Sequence, residues 1–155
     1  MLDCGGAMKL EIPGFRVTSP KTLAAWIGDD GTGGTQQVGW QQQNSPPSAF
    51  GLRRQGAGNI VAWSISTSGE VQAAGVGLSA RIGPFIMWGT ESSLNVLSRN
   101  GEQQTLADLP PDVLTDFVVG IQNAPMIGGV HVFDRILSSE ERTKLFAWME
   151  AHHVS

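Results

Sequence analysis

Two adjacent carboxylates are the first groups in this 155-residue chain that suggest chemistry. Asp29 and Asp30 lie within residues 28–35, a stretch rich in Gly and Thr that predicts a flexible loop. Calcium binds carboxylate and carbonyl oxygens in loops of this kind, so the stretch is a candidate calcium site. It lacks the regular ligand spacing of a dedicated calcium loop, and a turn with two solvated acids is the simpler explanation. We therefore predict no cofactor, with calcium as the alternative.

Two further side chains near predicted loops have the chemistry of a sugar site. Trp40 precedes a polar loop, residues 41–47, and an aromatic ring at a loop edge can stack on a sugar. Asn123 lies in a short loop and carries both an amide donor and an acceptor. Trp40 also shares a strand face with Val38, so packing in the core is the alternative for it. With Asp29 and Asp30, these are the candidate ligand-binding residues.

Catalytic patterns are weak. Glycoside hydrolysis requires two carboxyl groups about 5–10 Å apart, which means acids two or four residues apart on one strand. No strand shows that pattern, and Asp108, Asp112 and Asp116 are interrupted by two consecutive prolines. His131 lies within an apparent strand, and the single cysteine, Cys4, offers neither a zinc pattern nor an intrachain disulfide. We predict no catalytic residues.

Composition excludes several partners. Charged residues make up 15% of the chain and the net charge is −4, with no basic stripe of the kind that binds nucleic acid. No apolar run approaches the ~20 residues that span a bilayer, so we expect no membrane insertion. A basic segment followed by an apolar run is absent at the N-terminus, which predicts synthesis in the cytoplasm without a signal peptide.

The elements that would position these residues are mainly short strands. Apolar and polar residues alternate along about a dozen segments, and one helix follows at the C-terminus. Phe50 and Leu52 are predicted to face the core on one strand, and Val61, Trp63 and Ile65 on the next. Many short antiparallel strands separated by turn residues indicate a two-sheet sandwich.

The clearest hairpin covers residues 94–106. Asn100 and Gly101 stand between its two strands, and this dipeptide is typical of the centre of a type I′ turn.

The last strand continues directly into the helix. Ser138 is a suitable N-cap, and Glu141, three residues later, completes a capping box. Leu145, Trp148 and Met149 form one apolar stripe, which predicts a helix over about 138–151 lying on the body of the domain.

A longer motif carries a family resemblance. Residues 128–142, Gly-Gly-Val-His-Val-Phe-Asp-Arg-Ile-Leu-Ser-Ser-Glu-Glu-Arg, resemble the closing motif of concanavalin A-like, laminin-G-type domains. Trp88-Gly-Thr and Asn100-Gly-Glu resemble the central hairpin of that family. The resemblance implies one jelly-roll domain over residues 1–155, with a short tail at 1–7. We interpret Asp134 and Arg135 as fixing the strand-to-helix corner, with ligand contact as the alternative.

Three functions remain open at this point. The first is a non-catalytic structural, decoration or appendage component of a larger assembly such as a phage virion, which would oligomerise with other protein subunits. The second is a free-standing lectin-like module that binds glycans, as the family resemblance implies. A glycoside hydrolase is the third and is ranked last.

Overall fold

The computed structural model describes residues 10–12, 17–18, 21–28, 36–42, 48–54, 60–65, 71–74, 82–90, 93–101, 103–106, 113–114, 117–119 and 127–153. Within these ranges the chain forms thirteen strands and one helix. They are β1 (Leu10–Ile12), β2 (Val17–Thr18), β3 (Lys21–Ile27), β4 (Gln36–Gln42), β5 (Ser48–Arg54), β6 (Ile60–Ile65), β7 (Val71–Ala74), β8 (Gly83–Gly89), β9 (Leu94–Ser98), β10 (Gln103–Leu106), β11 (Val113–Leu114), β12 (Phe117–Val119), β13 (Ile127–Phe133) and α1 (Ser139–His153). The predicted tail, 1–7, lies outside the described residues.

Two antiparallel sheets form the predicted sandwich. Among the described strands, one sheet has six in the order β1-β12-β4-β5-β6-β7, and the other has five in the order β10-β9-β8-β3-β13. The short strands β2 and β11 pair separately. The period-two sequence patterns predict this arrangement, because side chains along a strand point alternately to the core and to the outer face of a sheet.

The inner core lies between the two sheets. Phe50 and Leu52 face it from β5, as predicted. Side chains from seven strands make up this core: Leu23, Ala25, Ile27, Val38, Phe50, Leu52, Ile60, Ala62, Phe85, Met87, Leu94, Val96 and Ile127. Strands that contribute more than one of these residues do so at alternate positions. Burial of this apolar surface holds the sheets together.

One strand faces the other way from the prediction. On β6 the residues in the inner core are Ile60 and Ala62, whereas Val61 is not part of it; the side chains of Trp63 and Ile65 lie outside the described part of the structure. Val61 is also buried, on the opposite face of the strand. Because apolar residues occupy both faces of β6, alternation alone could not identify the inner one.

Helix α1 covers the outer face of the five-stranded sheet. Ala24, Ile86 and Trp88 of the sheet pack against Met149 of the helix, and all four are buried. Strand β8 is consequently buried on both faces along its whole length. The helix thus supplies a second, smaller core on this side of the sandwich.

The apolar stripe of α1 differs from the predicted one. Leu145 and Met149 face the sheet together with Phe146, whereas Trp148 is 44% exposed. Phe146 and Trp148 flank the Leu145–Met149 direction at similar angles of about 80°, given about 100° of rotation per residue. The position of the sheet therefore decides which of the two is covered.

The strand-to-helix corner is held by a capping box and an ion pair. The backbone N–H of Glu141 donates to Ser138 Oγ at 3.2 Å, and the N–H of Ser138 donates to Glu141 Oε2 at 2.8 Å. Arg135 donates two hydrogen bonds to the same carboxylate, at 2.6 and 2.9 Å. Asp134 is exposed at the bend, and its charge helps to raise the pKa of Arg135 after the larger effect of Glu141.

A buried threonine joins this corner to β3, the strand beside β13 in the five-stranded sheet. Thr22 lies in β3, and its hydroxyl donates to the carbonyl of Arg135 at 3.0 Å. The same oxygen accepts a hydrogen bond from the N–H of Leu137, also at 3.0 Å. Both backbone groups lie between the end of β13 and the start of α1, where no neighbouring strand pairs with the chain. The Thr22 hydroxyl therefore supplies the hydrogen-bond partner that each of them needs.

The hairpin of β9 and β10 is present, but its turn is not type I′. The N–H of Gly101 donates to the carbonyl of Ser98 at 3.0 Å, which closes a turn centred on Arg99 and Asn100. Gly101 then adopts a left-handed φ of 73°. This arrangement is typical of three-residue hairpin loops. Leu97 pairs with Gln103, so the loop that closes the hairpin has three residues, whereas a type I′ hairpin loop has two.

Candidate ligand-binding groove

The residues predicted to bind a ligand are only partly described. Asp29, Asp30 and Asn123 lie outside the described residues, as does the candidate calcium loop beyond Gly28. Trp40 lies in β4 of the six-stranded sheet, where its backbone pairs with Phe117 and Phe50 on the neighbouring strands. Its side chain lies outside the described part of the structure. These four residues therefore stay predictions.

Among the described residues, no three side chains of His, Cys, Asp or Glu lie close enough together to hold a metal ion.

None of the described residues belongs to a helix that is long and apolar enough to span a bilayer.

A groove of about 280 Å³ lies between the β9–β10 turn and helix α1. We call it the hairpin–helix groove. Its described lining comprises Leu97, Ser98, Arg99, Gly101, Thr143, Phe146, Ala147 and Glu150. The four helical residues are spaced at i, i+3, i+4 and i+7, which places them on one side of α1. The turn residues form the opposite wall.

The groove has an apolar base and a charged rim. Leu97 and Phe146 are half-buried and belong to the cluster that joins the helix to the sheet. Arg99 Nε and Glu150 Oε1 are 3.9 Å apart, and each side chain is about half exposed, at 47% and 48%. This distance is too long for a direct hydrogen bond, so their attraction is mainly electrostatic. Both groups therefore keep hydrogen-bonding capacity toward the groove.

Gly83 leaves space for the Arg99 side chain beside the groove. A Cβ atom at Gly83 would stand 2.9 Å from Cδ of Arg99, which is closer than normal packing allows. Gly83 also has a φ of 112°, a conformation that suits glycine. The Arg99 side chain therefore crosses the backbone at the start of β8.

An aromatic cluster lies elsewhere on α1. The ring of Trp148 stacks on His152 at a centroid distance of 4.5 Å, with 19° between the ring planes. His131 of β13 meets Trp148 edge-on at 5.1 Å and 89°. His131 is half-buried there, whereas Trp148 and His152 are exposed. The cluster joins the edge of the five-stranded sheet to the end of the helix.

Sequence reasoning missed the groove because its walls are far apart in the chain. Arg99 directly precedes the Asn100-Gly101 dipeptide, and Glu150 directly follows Met149 of the apolar stripe, 51 positions further along the chain. A local signal existed for each wall, namely the turn and the helical spacing. No local signal showed that the two walls face each other.

Comparisons with known proteins give a fold rather than a family. A scan against protein-family models gives no match, and a search of curated proteins gives none. Among solved structures, the chain is similar to domains LG4-5 of the mouse laminin α1 chain, with a TM-score of 0.59 and 10% identity. That match covers 90% of this chain and 43% of the laminin chain.

Two lectin structures match over their whole length. Toad ovary galectin in complex with thio-digalactose has a TM-score of 0.52 and 10% identity, covering 83% of this chain and 100% of that one. Congerin II liganded with lactose and MES has the same TM-score and identity, covering 81% and 100%. These neighbours are concanavalin A-like β-sandwiches, so the predicted fold class is confirmed. At these identities the similarity concerns the fold alone.

Proposed function

We propose that this protein is a non-catalytic, lectin-like module that binds glycans. The observation that carries the proposal is the match of 83% and 81% of this chain to two complete lectin chains, whose structures hold thio-digalactose and lactose. The polar, weakly charged composition agrees with neutral ligands, since only 15% of residues are charged. The sequence ranking placed assembly first, and the structural neighbours favour glycan binding instead.

A glycan array with the folded protein tests this proposal, run with and without calcium. We expect specific binding to at least one class of glycan. Loss of binding without calcium would show that binding needs the metal and would point to residues 28–35 as its site. An empty array, from protein that unfolds cooperatively on heating, would contradict the proposal.

The residues that the sequence predicts to bind a ligand define a first site for this function, with Trp40 on strand β4. Trp40 would stack on a sugar ring, while Asp29, Asp30 and Asn123 would bind its hydroxyl groups. Trp40→Ala is expected to weaken binding of an array-positive glycan. Unchanged affinity in that variant would remove Trp40 from the site.

Assembly into a virion stays a prediction. The similar structures described above are two lectins and a laminin domain, and they do not bear on that role. Light scattering at high protein concentration tests the underlying expectation of a homo-oligomer. A monomer throughout the accessible range would weigh against a role in an assembly. Hydrolysis, ranked third, would require turnover on a polysaccharide panel.

A further inference from the structure

We propose that the hairpin–helix groove is a subsite for one neutral pyranose ring, bound at its rim by Arg99 and Glu150. This inference rests on the proposed glycan-binding function but assigns it a separate location. The groove lies against the five-stranded sheet, whereas Trp40 belongs to the six-stranded sheet. The two sites can therefore be tested independently.

The shape of the groove suits a single ring. Its volume of about 280 Å³ is close to the lower limit of about 300 Å³ for pockets that bind drug-sized ligands. Leu97, Phe146 and Ala147 give it an apolar surface on which the C–H face of a sugar can pack. A longer glycan would extend from the open side of the groove into solvent.

The charges at the rim select for a neutral polyol. Arg99 offers hydrogen-bond donors in a fixed planar arrangement, and the carboxylate of Glu150 only accepts. Two neighbouring hydroxyl groups can accept from the guanidinium and donate to the carboxylate at the same time. An anionic ligand would be repelled by Glu150, and a cationic one by Arg99. The opposite charges therefore favour a diol over a phosphate or an amine.

Both rim residues stand on supported elements. Arg99 lies in a turn closed by the hydrogen bond from Gly101 to Ser98, and Gly83 leaves room for its side chain. Glu150 lies within α1, one residue after the fully buried Met149. Groups held in place before binding lose less conformational entropy when a ligand arrives.

The alternative is that Arg99 and Glu150 form only a surface ion pair. Exposed pairs contribute little to stability, and their side chains move freely in solvent. An ion pair alone would make the groove irrelevant to affinity. Substitutions that fill the groove or neutralise a charge at its rim should therefore weaken sugar binding only if the groove is a binding site.

The test is an NMR titration of the intact protein with lactose and with the methyl glycosides of galactose, glucose and mannose. We expect at least one of them to shift the amide signals of the turn and of α1. Ala147→Phe, which fills the groove, should abolish this binding. Arg99→Gln and Glu150→Gln should each weaken it about tenfold, since each removes a charge-assisted hydrogen bond.

Matched controls are available on the same helix. Lys144→Phe adds the same ring at an exposed position outside the described lining, where the side chain points toward Glu140 and away from the groove. Lys144→Gln and Glu140→Gln remove the same charges from the exposed pair that these two residues form at 2.6 Å. Affinity in these three variants should stay within about twofold of the wild type, because they leave the hydrogen bonds to the sugar intact.

The outcomes distinguish this inference from the proposed function. Wild-type binding that persists within twofold in Arg99→Gln, Glu150→Gln and Ala147→Phe overturns the groove site and leaves glycan binding intact. Absence of binding to every titrated sugar and to the glycan array overturns both. Thermal melting of each variant identifies loss of folding, and the two exposed rim substitutions keep the test decisive if Ala147→Phe does not fold.

Discussion

At the strand-to-helix corner, individual polar side chains hold the backbone in place through hydrogen bonds. The carboxylate of Glu141 receives hydrogen bonds from Arg135 and from the N–H of Ser138, and these lower its pKa from 4.5 to about 2. The hydroxyl of Thr22 serves two backbone groups that no strand pairs. Each of these residues leads to a separate expectation for stability.

Thr22→Val is expected to lower the free energy of unfolding by about 1–3 kcal/mol, the usual cost of leaving buried hydrogen-bonding groups unsatisfied. Valine keeps the shape and strand preference of threonine, so the carbonyl of Arg135 and the N–H of Leu137 are the groups affected. Urea unfolding measures the change. Thr143→Val, at an exposed hydroxyl on α1, is the control and should change stability by less than about 0.5 kcal/mol. An unchanged midpoint in Thr22→Val would contradict the role of its hydroxyl.

The Glu141 carboxylate should make stability depend on pH. Because its folded-state pKa is depressed, its contribution is present above about 4.5 and is lost as the pH falls toward about 2. Glu141→Gln retains a side chain that can cap the helix but loses the ion pair with Arg135. We expect the difference in Tm between wild type and Glu141→Gln to be largest above pH 4.5 and to shrink as the pH falls to about 2. A pH-independent difference would show that the charge is not responsible.

At the scale of elements, the helix is attached to the sheet by more than apolar packing. Arg142 places its guanidinium 4.0 Å from the centre of the Trp88 ring, and Trp88 is buried. The same guanidinium donates to the carbonyl of Leu137 and, at 3.1 Å, to Ser139 Oγ. Burial lowers the pKa of Arg142, although an arginine stays charged at any ordinary pH. One side chain therefore ties the first turn of α1 to the sheet.

Arg142→Met should lower the free energy of unfolding by about 1–2 kcal/mol, because methionine keeps apolar contact with Trp88 but removes the cation–π contact and the hydrogen bonds. Thermal unfolding followed at 222 nm measures the effect. Lys144→Met is the control, since Lys144 contributes only an exposed ion pair with Glu140. Equal changes in both variants would show that helix propensity, rather than docking, is responsible.

At the scale of the whole molecule, the two cores share one sheet. Strand β8 is buried on both faces, with Phe85 and Met87 in the inner core and Ile86 and Trp88 under the helix. Loss of either core exposes one of the two buried faces of this strand. We therefore expect a single cooperative transition for the chain.

Tryptophan fluorescence and far-ultraviolet circular dichroism test this expectation during urea unfolding. The two signals should give coincident midpoints in the wild type and should shift together in Arg142→Met, because the helix and the sheet unfold as one unit. An earlier transition at 222 nm would show that α1 detaches before the sandwich unfolds.

Local sequence patterns were enough to predict the strands, the start of the helix and the fold class. Period-two alternation predicted the strands, as at Phe50 and Leu52, because neighbouring side chains on a strand necessarily point to opposite faces. The Ser138–Glu141 spacing located the start of the helix, because a capping box needs only residues three apart. The fold class followed from these elements and from the closing motif of residues 128–142.

Tertiary structure decided what depends on distant parts of the chain. Thr22 and Arg135 are 113 positions apart, and nothing near either residue indicates their hydrogen bond. Arg99 and Glu150 meet only because α1 docks on the five-stranded sheet beside the β9–β10 turn. The same docking covers Phe146 and leaves Trp148 exposed, although both flank the helix stripe equally. A sequence pattern records the period of an element, but the rotation and position of that element are set by the surface it packs against.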